Sequence, residues 1–138
     1  MLDSPEVYGR FVYSIRDAFP SIKGSTLVFY MVSAKQGVLK GELEFAMGIT
    51  LEVAELVDVA RGRILRYSYA VKRNDKKLYW YDPQPHPKDP YLAQTHPHHK
   101  HVPPDIKRNR MPAPRLSFEK PNLPFLIEEI ERELLLAR

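Results

Sequence analysis

Arg63-Ile64-Leu65-Arg66-Tyr67-Ser68-Tyr69-Ala70-Val71, then Asn74-Asp75, then Lys77-Leu78-Tyr79-Trp80-Tyr81-Asp82: this stretch reads as a β-hairpin. Both arms are rich in aromatic and branched side chains, and Asn-Asp supplies the reversal between them. Alternation puts Leu65, Tyr67, Tyr69 and Val71 on one face of the first arm, with Ile64, Arg66, Ser68 and Ala70 on the other. In the second arm Lys77, Tyr79 and Tyr81 share a side, and Leu78, Trp80 and Asp82 take the opposite one.

On the N-terminal side, residues 26–33, 38–47 and 49–59 read as three further strands, with a turn at Gln36-Gly37. Short links between successive strands favour an antiparallel meander. Val7, Tyr8, Phe11, Val12, Ile15, Ala18 and Phe19 repeat at helical spacing before Pro20. Asp3 and Glu6 offer a capping pair, and Pro5 suits a first helical position. At the other end Asn122 caps a second helix. Its Leu123, Ile127, Ile130 and Leu134 face inward, and Glu128, Glu129, Glu131 and Glu133 form a solvated face.

Residues 83–115 break the pattern. Eleven of the 13 prolines lie within 83–124, and proline removes a backbone donor and disfavours helix interiors and central strands. A loop of this length is usually functional or disordered, and its histidines and aromatics favour function. A short strand is expected near residues 115–118. The expected fold is α+β: one domain over 1–138, an antiparallel sheet of about five strands, an N-terminal and a C-terminal helix, and a long Pro/His-rich loop.

With 138 residues, 43% of them hydrophobic, the chain can build one core. It has no cysteine, which excludes disulfides and thiolate metal sites. No apolar run approaches the ~20 residues of a membrane span, and the N-terminus lacks the regions of a signal peptide. A soluble, cytoplasmic protein without membrane contact is expected. The net charge of +4 hides an asymmetry: residues 1–60 carry 5 Lys/Arg against 8 Asp/Glu, residues 61–115 carry 13 against 4, and residues 116–138 carry 3 against 5. A basic central segment favours a polyanionic partner, nucleic acid first. A solvated lysine-rich surface is the bland alternative.

All five histidines fall within residues 86–101, four of them in His96-Pro97-His98-His99-Lys100-His101. In an extended stretch His96 and His98 share one side, and His99 and His101 the other. Two imidazoles aimed at RNA can remove the 2′-hydroxyl proton and protonate the leaving 5′-oxygen, each worth about 100- to 10,000-fold. Lys100 or Arg66 can stabilise the phosphorane charge. The tyrosines of the hairpin can stack bases, although cross-strand packing uses the same residues. A metal is the competing use of the imidazoles, with Asp82 or His86 completing the site. The zincin helix motif is absent, so the expectation is no metal and no cofactor. A merely exposed histidine tract is the third alternative.

Taken together, Tyr67-Ser68-Tyr69, Leu78-Tyr79-Trp80-Tyr81-Asp82, Pro85-His86 and Pro97-His98-His99-Lys100-His101-Val102 resemble the TumE-type toxin family of prokaryotic toxin–antitoxin systems. The resemblance covers roughly residues 60–137 and is most specific in the closing pentapeptide. It implies a toxin that cleaves RNA and a cognate antitoxin encoded nearby. The positions that match are Tyr69, Asp82, His86, His98, His99, Lys100 and His101. Two positions depart: the family usually has arginine where this chain has Trp80, and asparagine where it has Pro83. Arg63 or Arg66 is the expected substitute for that arginine.

The resulting expectation is a metal-independent ribonuclease. His98 and His101 alternate as acid and base, with His86 and His99 as further candidate catalytic residues. Asp82 orients a histidine, Lys100 and Arg66 hold phosphate charge, and Arg63, Tyr67, Tyr69 and Tyr81 bind substrate. A non-catalytic nucleic-acid-binding module and a metal-dependent phosphodiesterase are the alternatives. The expected partners are RNA and the antitoxin, with homodimer formation left open.

Overall fold

The computed structural model describes residues 1–136; Ala137 and Arg138, which fall within the expected spans 1–138 and 60–137, lie outside the described residues. The elements in chain order are α1 (Pro5–Tyr13), α2 (Ile15–Ala18), β1 (Gly24–Ser25), β2 (Val28–Met31), β3 (Gln36–Glu44), β4 (Ile49–Asp58), β5 (Arg63–Arg73), β6 (Lys76–Asp82), β7 (His99–His101), β8 (Arg110–Pro112) and α3 (Leu123–Ile130). A π-helical turn, Glu131–Leu135, continues α3.

The sheet has eight strands, not about five, in the order β1-β3-β4-β5-β6-β7-β8, with β2 also on β3. Every pairing is antiparallel. The expected hairpin is β5–β6, and the meander β3–β6 forms, but Gln36 and Gly37, expected in a turn, are paired inside β3, which ends at Glu44 rather than near residue 47. The additional strands are β1, β7 and β8, and no strand forms at residues 115–118. The histidine motif, expected in a loop, is strand β7. Its physical reason is local: residues 98–102 contain no proline, so their backbone N–H groups can join the ladder. Pro112 closes β8 at the sheet edge, where a missing donor costs least.

Alternation along the hairpin is interrupted twice. The register shifts between Leu56 and Val57, so that Val57 pairs with Ile64 and Leu56 with Arg66, leaving Leu65 unpaired. A bulge of this kind moves one residue to the other face. Ile64 is therefore buried with Tyr67, Tyr69 and Val71, and Leu65 is exposed. A second shift between Val71 and Lys72 leaves Leu78 unpaired, and it aligns Tyr79 and Tyr81 with Val71 and Tyr69.

One face of the sheet is covered by the helices. Tyr8 and Val12 of α1 and Leu126, Ile127 and Ile130 of α3 pack there with Leu51, Val53, Val57 and Tyr69. Truncating one such residue, Ile127→Ala, costs about 3 kcal/mol. Ser4, not Asp3, caps α1: its hydroxyl accepts from the Val7 amide at 3.2 Å and donates to Glu6. The helix breaks at Ser14, so α1 and α2 replace one longer helix. Asn122 precedes α3 but makes no side-chain cap bond. Its amide group instead donates to the Tyr69 hydroxyl at 3.0 Å and to the Ser117 carbonyl at 2.9 Å. Gly41 has φ +135, and a Cβ there would meet the Thr26 carbonyl oxygen at 2.6 Å. This is where β1 ends and β2 begins along β3, and only glycine fits the close approach.

Glu55 of β4 is buried under α1, where the hydroxyls of Tyr8 and Tyr69 donate to its two oxygens. Burial raises its pKa, and the two hydrogen bonds only partly offset that. Folding thus favours the neutral form more than the unfolded chain does. Its contribution is complete below the unfolded carboxyl pKa and declines as pH rises through the folded value. Glu55→Gln removes this dependence. The expected result is that wild-type Tm falls relative to the Gln variant as pH rises above about 4.5. Parallel Tm curves for the two proteins from pH 4 to 8 would rule this out.

Candidate functional site

Pairing sets the site. Trp80 lies opposite His101 and Asp82 opposite His99, while Tyr81 lies opposite Lys100. His101 in turn lies opposite Arg110. Directly paired residues share a face, so Trp80, Asp82, His99, His101 and Arg110 gather on the face away from the helices. Lys100 and Tyr81 take the helix-covered face.

Asp82 receives both buried imidazoles. His99 Nε2 lies 3.1 Å from Asp82 Oδ1, and His101 Nε2 lies 3.0 Å from Oδ2. The two Nε2 atoms are 3.1 Å apart. Each ring is anchored at its far nitrogen by a backbone carbonyl: His99 Nδ1 to Pro97 at 3.0 Å, and His101 Nδ1 to Ile106 at 3.1 Å. The Trp80 indole N–H donates to Asp82 Oδ2 at 3.2 Å, and the Gln84 amide donates to Oδ1 at 2.9 Å. Trp80 also stacks on His101, with ring centroids 4.3 Å apart. The Asp82 carboxylate, although burial opposes its charge, is held well below the usual carboxylate range by His99, Gln84 and Trp80. Burial lowers His99, but its hydrogen bonds to Asp82 and Pro97 raise it overall. His101 is lowered, first by burial.

His86 stands edge-on to His99, with centroids 4.8 Å apart. It lines a shallow hollow of about 550 Å³ together with Lys88, Asp89 and Arg110. The Arg110 Nε is buried without a hydrogen-bond partner. Burial and the Arg110 charge both lower the pKa of His86.

The remaining sequence candidates are elsewhere. His98 hydrogen-bonds through Nδ1 to the Tyr67 hydroxyl and packs on Phe118. Both partners belong to the helix-covered side. Lys100 pairs with buried Glu129 at 3.1 Å and lies over the rings of Tyr79 and Tyr81. Tyr69 is wholly buried on Glu55, and the Tyr81 hydroxyl donates to Glu129 at 2.8 Å. Glu129, read as part of a solvated face, is therefore an interior residue. Arg63 pairs with Glu119 at 3.7 Å and lies over Phe118. Arg66 is exposed on the open face and forms no ion pair among the described residues. Arg110 and Lys88 went unnoticed as site residues. The basic run Lys107-Arg108-Asn109-Arg110 was the available signal for the first, and nothing in the sequence singled out Lys88.

A family model described as Toxin TumE matches residues 13–134. The chain belongs to the TumE toxin family. The protein is thus the toxin component of a toxin–antitoxin system, and membership implies a cognate antitoxin partner. The match extends beyond the span 60–137 and takes in β1 to β4. No curated protein and no solved structure matches the chain. No helix among the described residues is long and apolar enough to cross a membrane. Of the two departures from the family pattern, Trp80 falls inside the site. Its indole supplies a hydrogen bond to Asp82, and its cross-strand row ends in Arg110 two strands away.

Proposed function

We propose that this toxin cleaves RNA on the open face of its sheet, with Asp82, His99 and His101 as the reactive centre. The observation that carries this reading is the juxtaposition of that buried centre with a cationic hollow. His86 touches both: its ring meets His99 and it lines the hollow with Lys88 and Arg110. Arg110 lines the hollow, and a guanidinium there suits a phosphate oxygen. The excess of positive charge in residues 61–115 favours a polyanion over a small neutral substrate.

In this reaction the 2′-oxygen attacks phosphorus and the bond to the 5′-oxygen breaks. The products are a 2′,3′-cyclic phosphate and a 5′-hydroxyl. Arg110 and Lys88 hold the phosphate, and Arg110 supplies the cation that position 80 lacks. His98 and His101 do not form the acid–base pair, because their rings lie on opposite sides of the sheet. His99 takes the place of His98 beside His101.

The test is incubation of the purified chain with single-stranded RNA. His101→Gln is expected to lower cleavage by about 100-fold or more, whereas His98→Gln retains most of it. Products with cyclic-phosphate ends are expected. RNA binding that weakens steeply with salt, without any cleavage, would replace this reading with a non-catalytic nucleic-acid-binding module.

A further inference from the structure

The hydrogens at the Asp82–His99–His101 centre do not balance. The Pro97 and Ile106 carbonyl oxygens can only accept, so both rings carry a hydrogen on Nδ1. Neutral rings then present bare Nε2 atoms to one another at 3.1 Å. Each bare atom also faces a carboxylate oxygen, at 3.1 and 3.0 Å. These are three close contacts with no hydrogen in any of them. One added proton on His99 serves only the contacts of His99, and His101 Nε2 still opposes Asp82 Oδ2. Two added protons place two imidazolium N–H groups head to head, like charges in a buried site.

A cation satisfies all three groups at once. We propose that Asp82, His99 and His101 form a binding site for one divalent first-row transition-metal ion. Each of the three offers one ligand atom, and these atoms lie within 4.8 Å of one another. Ligand atoms ~2.1 Å from one ion stand about 3.0 Å apart at right angles and about 3.4 Å apart at tetrahedral angles. The 3.1 Å between the two Nε2 atoms, and the 3.1 and 3.0 Å from each of them to its own Asp82 oxygen, match the first arrangement for neighbouring ligands. Ligation through Nε2 with Nδ1–H held by a carbonyl is the usual support of a metal-bound histidine. The Trp80 and His86 rings brace the two imidazoles from outside. Two imidazoles and a carboxylate suit zinc, manganese, iron or cobalt better than magnesium or calcium, which favour all-oxygen sites. Arg110 opposes the ion and the Asp82 charge favours it. With the ion bound, both Nε2 atoms are ligands and neither ring is free to act as acid or base, so the loaded centre would work through water or a phosphate oxygen in its open positions, and the imidazole acid–base roles belong to the metal-free centre.

The inference concerns what the centre binds, and it stands whether or not RNA is the substrate. The full chain, stripped with chelator, is titrated with Co²⁺ by absorption and with Zn²⁺ by calorimetry, with Mg²⁺ for comparison. One Co²⁺ or Zn²⁺ per chain is expected, with Mg²⁺ at least 100-fold weaker. Zn²⁺ at ~100 times its Kd is expected to raise Tm by roughly 8 °C. The variant Asp82→Asn/His99→Gln/His101→Gln loses the site, and His96→Gln and His98→Gln keep it. Nitrogen NMR of the wild type is decisive even where variants fail to fold: Zn²⁺ shifts the Nε2 signals of His99 and His101 and of no other ring. Absence of 1:1 binding, or binding unchanged in the triple variant, overturns the proposal. Metal binding without RNA cleavage retains this site and removes the function proposed above.

Discussion

Asp82→Asn is expected to abolish RNA cleavage, by about 100-fold or more, and with it growth arrest on expression. The same protein stays folded. Asparagine keeps the shape of the side chain, and its carbonyl oxygen still accepts from the Gln84 amide that now bonds Asp82 Oδ1 at 2.9 Å. Its amide group can also donate a hydrogen to a bare imidazole Nε2, which the carboxylate cannot do. The Trp80 indole N–H, which bonds Asp82 Oδ2 at 3.2 Å, then faces that amide and loses its acceptor, so the centre exchanges one hydrogen bond for another while it loses its charge. Tm is expected to stay near the wild-type value as activity disappears. Cleavage of single-stranded RNA and a melting curve on one preparation check both halves. A folded Asp82→Asn protein with wild-type cleavage would remove the centre from the mechanism.

The second large effect falls on Lys100 and has the opposite character. Lys100 sits within the histidine motif, yet its ammonium is directed to Glu129 on the helix side, at 3.1 Å. Both side chains are largely shielded, with 18% and 8% exposure. Lys100→Met leaves the Glu129 charge buried, bonded by the Tyr81 hydroxyl but without its cation. The expected cost is about 3 kcal/mol, seen as a lower midpoint in urea unfolding. Adding Glu129→Gln recovers most of that loss, because a neutral amide needs no counter-charge. Cleavage per folded molecule stays within about threefold of wild type, since a side chain on the covered face does not reach the substrate. Intact stability in Lys100→Met combined with a collapse of cleavage would show that Lys100 acts on the phosphate.

These two residues mark how far the sequence could be read. Asp82, His86, His99 and His101 stood out by residue type and by resemblance to the TumE family, and the structure brings those four side chains together. The partition of the pentapeptide between two faces was harder to read. Alternation separates His98 and Lys100 from His99 and His101, but which pair joins Asp82 depends on the register of β7 against β6. That register is set by long-range pairing. Arg110 is similar: it enters the site only because β8 pairs with β7. Glu129 read as part of a solvated face because its hydroxyl partner, Tyr81, lies 48 residues away in sequence.

From residue order alone came the central meander, helical segments at both ends, the basic middle of the chain and the candidates Asp82, His86, His99 and His101. Each depends on local periodicity or composition, which neighbouring residues carry by themselves. The count of eight strands, the bulges at Leu65 and Leu78, and the side of the sheet on which Asp82, His99 and His101 meet came only from the assembled sheet. They are set by hydrogen bonds between strands distant in sequence, and a one-residue change in register sends a side chain to the opposite face.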